Sequence, residues 1–191
     1  MEAVPIDKRL QDVADLIRGR RTVKLYLKRP VSRQLVLDAI EAARWAPNHH
    51  VTEPWHFYLL GPEAIAEAVE LTRIVTSERK GPKMGDFKAA AAAERPGWLV
   101  VTCKVSDDEL LQREDYASCC CAIQNFMLYL SAAGVATKWS TGALTRDERF
   151  LRMLGIDPAE EFIVGLIWYG YAKITPAQSR KPVPEIVTER P

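Results

Sequence analysis

The amino-acid sequence predicts an α+β fold. Segments with helical periodicity outnumber the strand-like apolar runs, and the two kinds of segment do not alternate regularly along the chain, as they would in a βαβ protein. The longest predicted helix, 108–133, is apolar nearly all round between residues 117 and 130. Because a helix without a polar face is typical of a protein interior, we expect this one to be a buried core helix.

Breaker and capping residues place the elements in order. The first half reads as helix 7–19, extended segment 20–27, a helix from a Ser32 cap to residue 46, polar loop 48–53 and strand 55–61. The second half reads as helix 63–79, strand 98–105, helix 108–133, a strand that runs into a turn over 135–144, a short helix with a Thr145–Glu148 capping box, strand 162–172 and an extended tail 173–191. The glycines, prolines and alanines of 80–96 predict a mobile, variable excursion with one short helix.

Length and composition are those of one globular domain. The chain has 191 residues, 48% of them hydrophobic, and its 26 basic side chains nearly balance 25 acidic ones. We therefore expect a single domain over 1–191 that needs no disulfide or structural metal. The near-neutral charge disfavours nucleic acid and anionic membranes as partners. No signal-peptide core and no membrane-length apolar run are evident, so a cytoplasmic protein is expected.

The cysteines favour the same compartment. They are Cys103 and the consecutive residues 119–121, and no C-x-x-C pair is present. Adjacent cysteines are poor disulfide partners. We interpret all four as reduced thiols that serve as small buried hydrophobic residues.

The common catalytic and nucleotide-binding motifs are absent from the sequence. No G-x-G-x-x-G follows a strand, and no Walker loop, H-E-x-x-H or G-x-S-x-G occurs. The histidines His49, His50 and His56 are close in sequence, with Glu53 as their neighbouring carboxylate. On a regular strand His49 and His50 would point to opposite faces. The sequence therefore predicts no metal site.

A basic segment after the first helix has two interpretations. Arg20, Arg21 and Lys24 lie within five residues, together with Thr22. They could form a solvated basic turn that complements the helix C-terminus. Alternatively they form an anion cradle, in which Arg20, Thr22 and Lys24 share one face of an extended segment and offer donors to a phosphate.

Four segments together resemble the nitroreductase family of FMN-binding flavoproteins. They are RRTVKLY at 20–26, APNHHVTEPWHF at 46–57, GVATKWSTG at 134–142 and IVGLIWYGY at 163–171. Each is weak alone, but their order and spacing cover nearly the whole chain. The short loops are similar to those of the compact bacterial NAD(P)H nitroreductases. The resemblance implies a nitroreductase-like fold, with a central, mostly antiparallel sheet flanked by helices.

The resemblance also implies roles for individual residues. Arg20, Arg21, Thr22 and, from the tail, Arg180 would bind the phosphate and ribityl end of FMN. Lys24 would lie near the N1/O2 edge of the ring, in place of the family's commoner arginine.

On the remaining signatures, Trp45 and His49 would line the flavin pocket of the partner chain. Trp139, Ser140 and Thr141 would present backbone and hydroxyl groups to the N5/O4 edge. Glu53 stands where many members have glutamine, so we assign it no flavin contact.

The activity implied by the resemblance is that of an FMN-dependent oxidoreductase. A homodimer with FMN at its interface would transfer hydride by a ping-pong mechanism from NAD(P)H to a nitroaromatic, quinone or similar acceptor. No protein residue is expected to act as nucleophile or general acid, because the flavin supplies the chemistry. Three alternatives stay open: a flavin-dependent dehydrogenase, dehalogenase or flavin-fragmenting enzyme; a non-enzymatic flavin carrier or sensor; and a phosphate- or nucleotide-binding module without flavin.

Overall fold

The computed structural model describes residues 8–190, so the first residue of the predicted helix 7–19 and the last residue of the tail lie outside it. Within this range the chain forms six α-helices and four strands. They are α1 (Lys8–Gly19), α2 (Arg33–Ala43), β1 (Trp55–Leu59), α3 (Pro62–Lys80), α4 (Pro82–Ala93), β2 (Gly97–Lys104), α5 (Glu109–Ala132), β3 (Ala136–Ser140), α6 (Glu148–Leu154) and β4 (Glu161–Gly170). The predicted α+β class is confirmed.

The strands form one antiparallel sheet in the order β1-β2-β4-β3. The apolar strands β2 and β4 occupy its centre, as expected of strands that are buried on both faces. The basic segment runs along the outer side of β3, where the Val23 amide donates to the Thr137 carbonyl at 3.1 Å. The side chains of Val23 and Tyr26 are buried. The packing of these two side chains therefore holds the basic segment in place, whether it is an anion cradle or a basic turn.

Helices cover both faces of the sheet and create two hydrophobic cores. On one face α2 and α5 pack through residues such as Phe126 and Ile123. On the other face α3, α4 and α6 enclose a second core that contains Trp98, Phe150 and Leu166. Since neighbouring residues of a strand point to opposite faces, each central strand contributes to both cores.

The segment 80–96 contains the short helix that was predicted there, and this helix, α4, packs against α3. Gly81, with φ 84°, ends α3 and lets the 12-residue helix α4 begin immediately. A Cβ atom at Gly85 would lie 2.6 Å from the Arg73 carbonyl oxygen, so the glycine permits close packing of α4 on α3. Ala92 is fully buried in the same contact region.

Two predicted caps differ from the structure. The N-cap of α6 is Asp147, whose carboxylate accepts from the Arg149 amide at 3.0 Å. Thr145 instead lies in a 3-10 turn after β3, where a turn was predicted to follow the strand, and its hydroxyl donates to the Gly142 carbonyl. Ser32 occupies the N-cap position of α2 as predicted, but its side chain makes no capping hydrogen bond.

The long helix α5 is buried along one face only. Phe126 and Leu130 are fully buried, whereas Tyr129 is 40% exposed and Cys121 is exposed. All four cysteines are free thiols, as predicted, but only Cys103 and Cys119 are buried. Among residues 8–190 no helix combines the length and the apolarity needed to cross a membrane.

Candidate functional site

Three arginines approach one another at the outer edge of β3. Arg20 is half-buried, and burial together with the charges of Arg180 and Arg21 lowers its pKa. Arg21 donates to the Arg20 carbonyl at 2.9 Å. Arg20 and Arg21 line a groove of about 140 Å³, beside Thr137 and Thr175, that includes no acidic residue from the described part of the chain. We call it the arginine groove.

Two features of the arginine groove favour an anionic ligand. The charges of Arg180 and Arg21 add to burial in lowering the pKa of Arg20, so an anion beside Arg20 would relieve this repulsion. In addition, the buried Thr137 hydroxyl has no hydrogen-bond partner among the residues described, and such groups call for a ligand or water.

A larger cavity of about 350 Å³ lies on the face of the sheet covered by α3 and α4. We call it the cationic cavity because five of its lining side chains are basic and none of the described ones is acidic: Arg79, Lys80, Lys88, Arg95 and Lys138. Val75, Leu144, Leu166 and Trp168 give it apolar walls. Apolar walls with a few convergent charges are typical of a site for a flat organic anion.

Two basic groups of the cationic cavity lie over the ring of Trp168. The Arg95 guanidinium carbon lies 3.5 Å from the centroid of the Trp168 ring, and the Lys138 ammonium lies 4.7 Å from it, both within cation–π range. Burial lowers the pKa of Arg95 to about 10. Burial and the charges of Arg95, Lys24 and Lys88 lower the pKa of Lys138 to about 8. The Arg95 Nε and the Trp168 Nε1 are buried and unpartnered within the described structure.

Neighbouring residues of β3 line the arginine groove and the cationic cavity. Ala136 and Thr137 line the groove, whereas Lys138 and Ser140 line the cavity. Ala136, Lys138 and Ser140 alternate along the strand, so they lie on one face, roughly 7 Å apart from one to the next, and Thr137 lies on the other face. Lys24 is exposed, and its effect on the pKa of Lys138 places its charge near that side chain.

The other predicted contacts at the end of β3 have distinct environments. Trp139 points to the opposite face, where its Nε1 donates to the Val164 carbonyl at 3.3 Å, so only its backbone is near the cavity. Thr141 is exposed, and its carbonyl accepts from Arg146 at 2.9 Å. The structure therefore brings Ser140 to the cavity by its side chain and turns the Trp139 side chain away.

The loop after α2 lies against α5. Trp45 is 75% exposed and donates to Glu41 at 3.1 Å, and His49 is exposed as well. The loop is a 3-10 turn in which His50 has φ 60°, so the strand geometry in which His49 and His50 would point to opposite faces does not apply.

The structure adds cationic-cavity residues that the sequence argument did not select. Lys138 could have been found, because it alternates with Ser140 within the motif at 134–142. Arg79, Lys88 and Arg95 come from helices α3 and α4 and from the turn after α4, so no local pattern relates them to β3. Only the packing of α3 and α4 brings them together.

The comparison with known proteins gives the class of this chain, which is that of the flavin oxidoreductases. The chain belongs to the Nitroreductase family, whose sequence model matches residues 17–171. The predicted resemblance is thereby confirmed, and the protein is an enzyme of the nitroreductase type.

Individual relatives agree with the assignment over nearly their whole length. The Bacillus subtilis (strain 168) protein YfhC, whose name proposes an NAD(P)H nitroreductase, is 29% identical over 92% of each chain. A nitroreductase-like family protein from Bacillus cereus has 27% identity and a TM-score of 0.83, over 100% of this chain and 98% of its own.

A third comparison concerns the fold alone. A Desulfovibrio desulfuricans protein, described as a proposed nitroreductase and solved in complex with FMN, has a TM-score of 0.74. It is 22% identical, and the match covers 94% of this chain and 96% of that one.

Proposed function

We propose that the protein is an FMN-dependent oxidoreductase that uses NAD(P)H to reduce a nitroaromatic, quinone or similar acceptor by a ping-pong mechanism. The observation that carries this proposal is the pair of basic sites that neighbouring residues of β3 line, the arginine groove and the cationic cavity. FMN has a phosphate at one end and a flat, electron-accepting ring at the other. The arginine groove matches the phosphate in charge, and the cationic cavity offers apolar walls to the ring and positive charge to its reduced form. The unpartnered Thr137, Arg95 and Trp168 groups supply donors.

Each part of the site then has a role. Arg20, Arg21, Thr22 and Arg180 hold the phosphate and ribityl end. Trp139, Ser140 and Thr141 border the N5/O4 edge. Bound FMN supplies the redox chemistry, which is hydride acceptance and donation at N5.

The cations nearest the ring have the electrostatic role. Lys24 and Lys138 stabilise negative charge that develops at the N1/O2 edge on reduction. Because burial already penalises the positive charge of Lys138, an anion placed beside it gains more than it would from a solvated lysine. The chain itself therefore binds, orients and stabilises charge, without a protein nucleophile.

We further propose a cytoplasmic homodimer of single-domain chains, each spanning 1–191. Three apolar residues of α1 are more than half exposed in the single chain: Leu10, Val13 and Ile17. Val51, in the loop after α2, is 78% exposed. A second copy that covers these surfaces would bring its Trp45 and His49 to the partner's flavin, as the family resemblance implies.

The visible spectrum of the purified protein tests this function. We expect flavin absorption with one FMN per chain, and bleaching when NADPH or NADH is added without oxygen. Addition of a nitroaromatic or a quinone should then reoxidise the flavin and restore the absorption. A colourless protein that does not bind added FMN would contradict the proposal and favour a phosphate-binding module. A yellow protein that neither nucleotide reduces would favour a flavin carrier or sensor.

A further inference from the structure

The cationic cavity carries more positive charge than the proposed flavin uses. Its lining includes five basic side chains and no acidic one from the described part of the chain. The negative charge that FMN gains on reduction is assigned to Lys24 and Lys138, and the FMN phosphate is assigned to the arginine groove. Arg79, in the last turn of α3, and Lys88 of α4 are therefore left without an anion to bind.

Within residues 8–190 no carboxylate forms an ion pair with the basic side chains of the cavity. Two acidic residues adjoin them in the sequence, but both have partners elsewhere. Glu78 pairs with Arg149 at 2.8 Å, and Glu94 pairs with Lys28 at 3.2 Å. The cavity therefore keeps its positive charge, and a cleft lined by charges of one sign concentrates ligands of the opposite sign.

One face of α3 offers the cavity an apolar surface beside a charge. Thr72, Val75, Thr76 and Arg79 line the cavity, at the spacing of a single helical face. Val75 and Arg79 are about one turn apart, so a ring packed on Val75 would hold a substituent within reach of the guanidinium. Lys88 lines the same cavity from α4. A flat ring that bears a carboxylate matches this pairing of apolar surface and charged donors.

We propose that the electron acceptor of this enzyme is an aromatic carboxylate, a nitroaromatic ring or quinone that bears an acidic group, and that Arg79 and Lys88 select it. This specificity rests on the proposed function and names its acceptor class. The acceptor takes a hydride from reduced FMN and a proton from solvent. A quinone thereby becomes a hydroquinone, or a nitro group becomes a nitroso group with release of water, and the carboxylate is unchanged.

NAD(P)H is the other anion that would enter the site, but a ribose separates its phosphates from the nicotinamide ring. Arg79 and Lys88 line the same cavity as Lys138 and Ser140, which are assigned to the flavin ring. The two cations therefore suit a negative charge carried directly on the reacting ring of the acceptor.

Equilibrium dialysis of the purified holoprotein with 4-nitrobenzoate and 4-nitrobenzamide tests this recognition without turnover. The two compounds are nearly equal in size, and only the first is charged at neutral pH. We expect the native protein to bind the carboxylate more tightly. Arg79→Gln and Lys88→Gln should each reduce this preference by about threefold to tenfold, as expected for partly solvated charge pairs. Lys83→Gln is the matched control, because Lys83 is exposed on α4 but does not line the cavity.

Anaerobic stopped-flow measurements separate the acceptor from the nicotinamide nucleotide. Arg79→Gln and Lys88→Gln should slow oxidation of the reduced flavin by subsaturating 4-nitrobenzoate more than they slow its reduction by NADPH. The opposite result would assign the cations to the nucleotide phosphates and overturn the proposal.

The proposal is also overturned if the native protein binds both compounds equally, if the two variants keep the native preference, or if Lys83→Gln reduces it as much. A yellow protein that NAD(P)H reduces but that does not prefer the carboxylate would remove this specificity and leave the proposed function standing. A colourless protein that does not bind FMN would contradict both.

Discussion

At the scale of single residues, the charge of Lys24 and the half-buried charge of Lys138 act on the same region. Lys24 is solvated, yet it contributes to the lowered pKa of Lys138. Lys138 lines the cationic cavity, and Lys24 is close enough to it for the two charges to interact. Two positive charges in one place would favour the reduced, negatively charged form of a redox cofactor bound there.

Lys24→Met is expected to lower the two-electron reduction potential of bound FMN by about 30–65 mV. Negative charge collects at N1/O2 on reduction, so an ammonium there stabilises the reduced state more than the oxidised one. A contact worth about 1.5–3 kcal/mol in the reduced state alone corresponds to this shift. Potentiometric titration against a reference dye measures it.

The matched control for Lys24→Met is Lys28→Met on the same segment. Lys28 is exposed and pairs with Glu94 at 3.2 Å, so its loss should leave the potential unchanged. An unchanged potential in Lys24→Met, with FMN still bound, would place Lys24 away from N1 and favour the solvated basic turn.

Lys138 should make the stability of the flavin-free protein depend on pH. Its pKa is about 8 in the folded chain, against 10.5 for an ordinary lysine. Between these values the unfolded chain retains a proton that the folded chain has lost, so the free energy of unfolding rises with pH. Below pH 8 both states are protonated, and the cost of burying the charge is present in full.

Lys138→Met should therefore stabilise the flavin-free protein at pH 7, by about 1–2 kcal/mol after allowance for partial solvation. The gain should shrink as the pH rises from 8 to 10.5. Urea unfolding at pH 7, 8.5 and 10 measures it, with Lys104→Met as an exposed control. A gain that is constant over this range would show that the charge of Lys138 is not the cause.

At the scale of elements, much of the fold could be predicted because local patterns agree with the final packing. Strand β2 and helix α5 have clear apolar signatures and lie close to their predicted bounds. The packing of helix α4 on α3 could not be predicted, because the alanines and Gly85 of this helix carry little periodicity. Its stability comes from close contact with α3, which is a tertiary property.

The residues of the candidate site could likewise be predicted only where a local sequence motif marks them. The motifs of the basic segment and of β3 were visible in the chain, whereas the α3 and α4 cations needed the packed structure. The loop 48–53 was predicted as a loop, but its left-handed backbone at His50 and Val51 could not be predicted, because no residue type in the loop indicates it.

Gly165 of β4 gives a prediction at this scale. A Cβ atom there would lie 2.6 Å from Cδ1 of Trp139 and closer still to its Nε1. Gly165→Ala should displace the indole, break its hydrogen bond to Val164 and destabilise the protein by about 1–3 kcal/mol. Because Trp139 precedes Ser140, retention of FMN should fall as well.

Urea unfolding and flavin content of Gly165→Ala measure the two effects. Gly19→Ala is the steric control for stability, since nothing lies within 4 Å of a Cβ atom at Gly19. If Gly165→Ala is as stable as the native chain, the indole does not occupy the space above Gly165.

At the scale of the whole molecule, the exposed apolar surface of α1 is hard to reconcile with an isolated chain. The helix is amphipathic, yet it has no buried residue. Tyr116 and Tyr129 on α5 are also 43% and 40% exposed. Surfaces of this kind mark interaction sites, and a second copy of the chain is the occupant that we propose.

The double variant Val13→Glu/Ile17→Glu should therefore be monomeric and lose FMN. Both side chains are more than half exposed, so the single chain should stay folded, while two introduced carboxylates would be buried in an interface that typically exceeds about 2,000 Å² in obligate dimers. Light scattering measures the oligomeric state, circular dichroism shows whether the chain is folded, and absorbance gives the flavin content. Asp12→Lys, also exposed on α1, is the control for a change of charge. A native chain that is a yellow monomer at micromolar concentration, or a double variant that remains a yellow dimer, would show that this face is not the interface on which flavin binding depends.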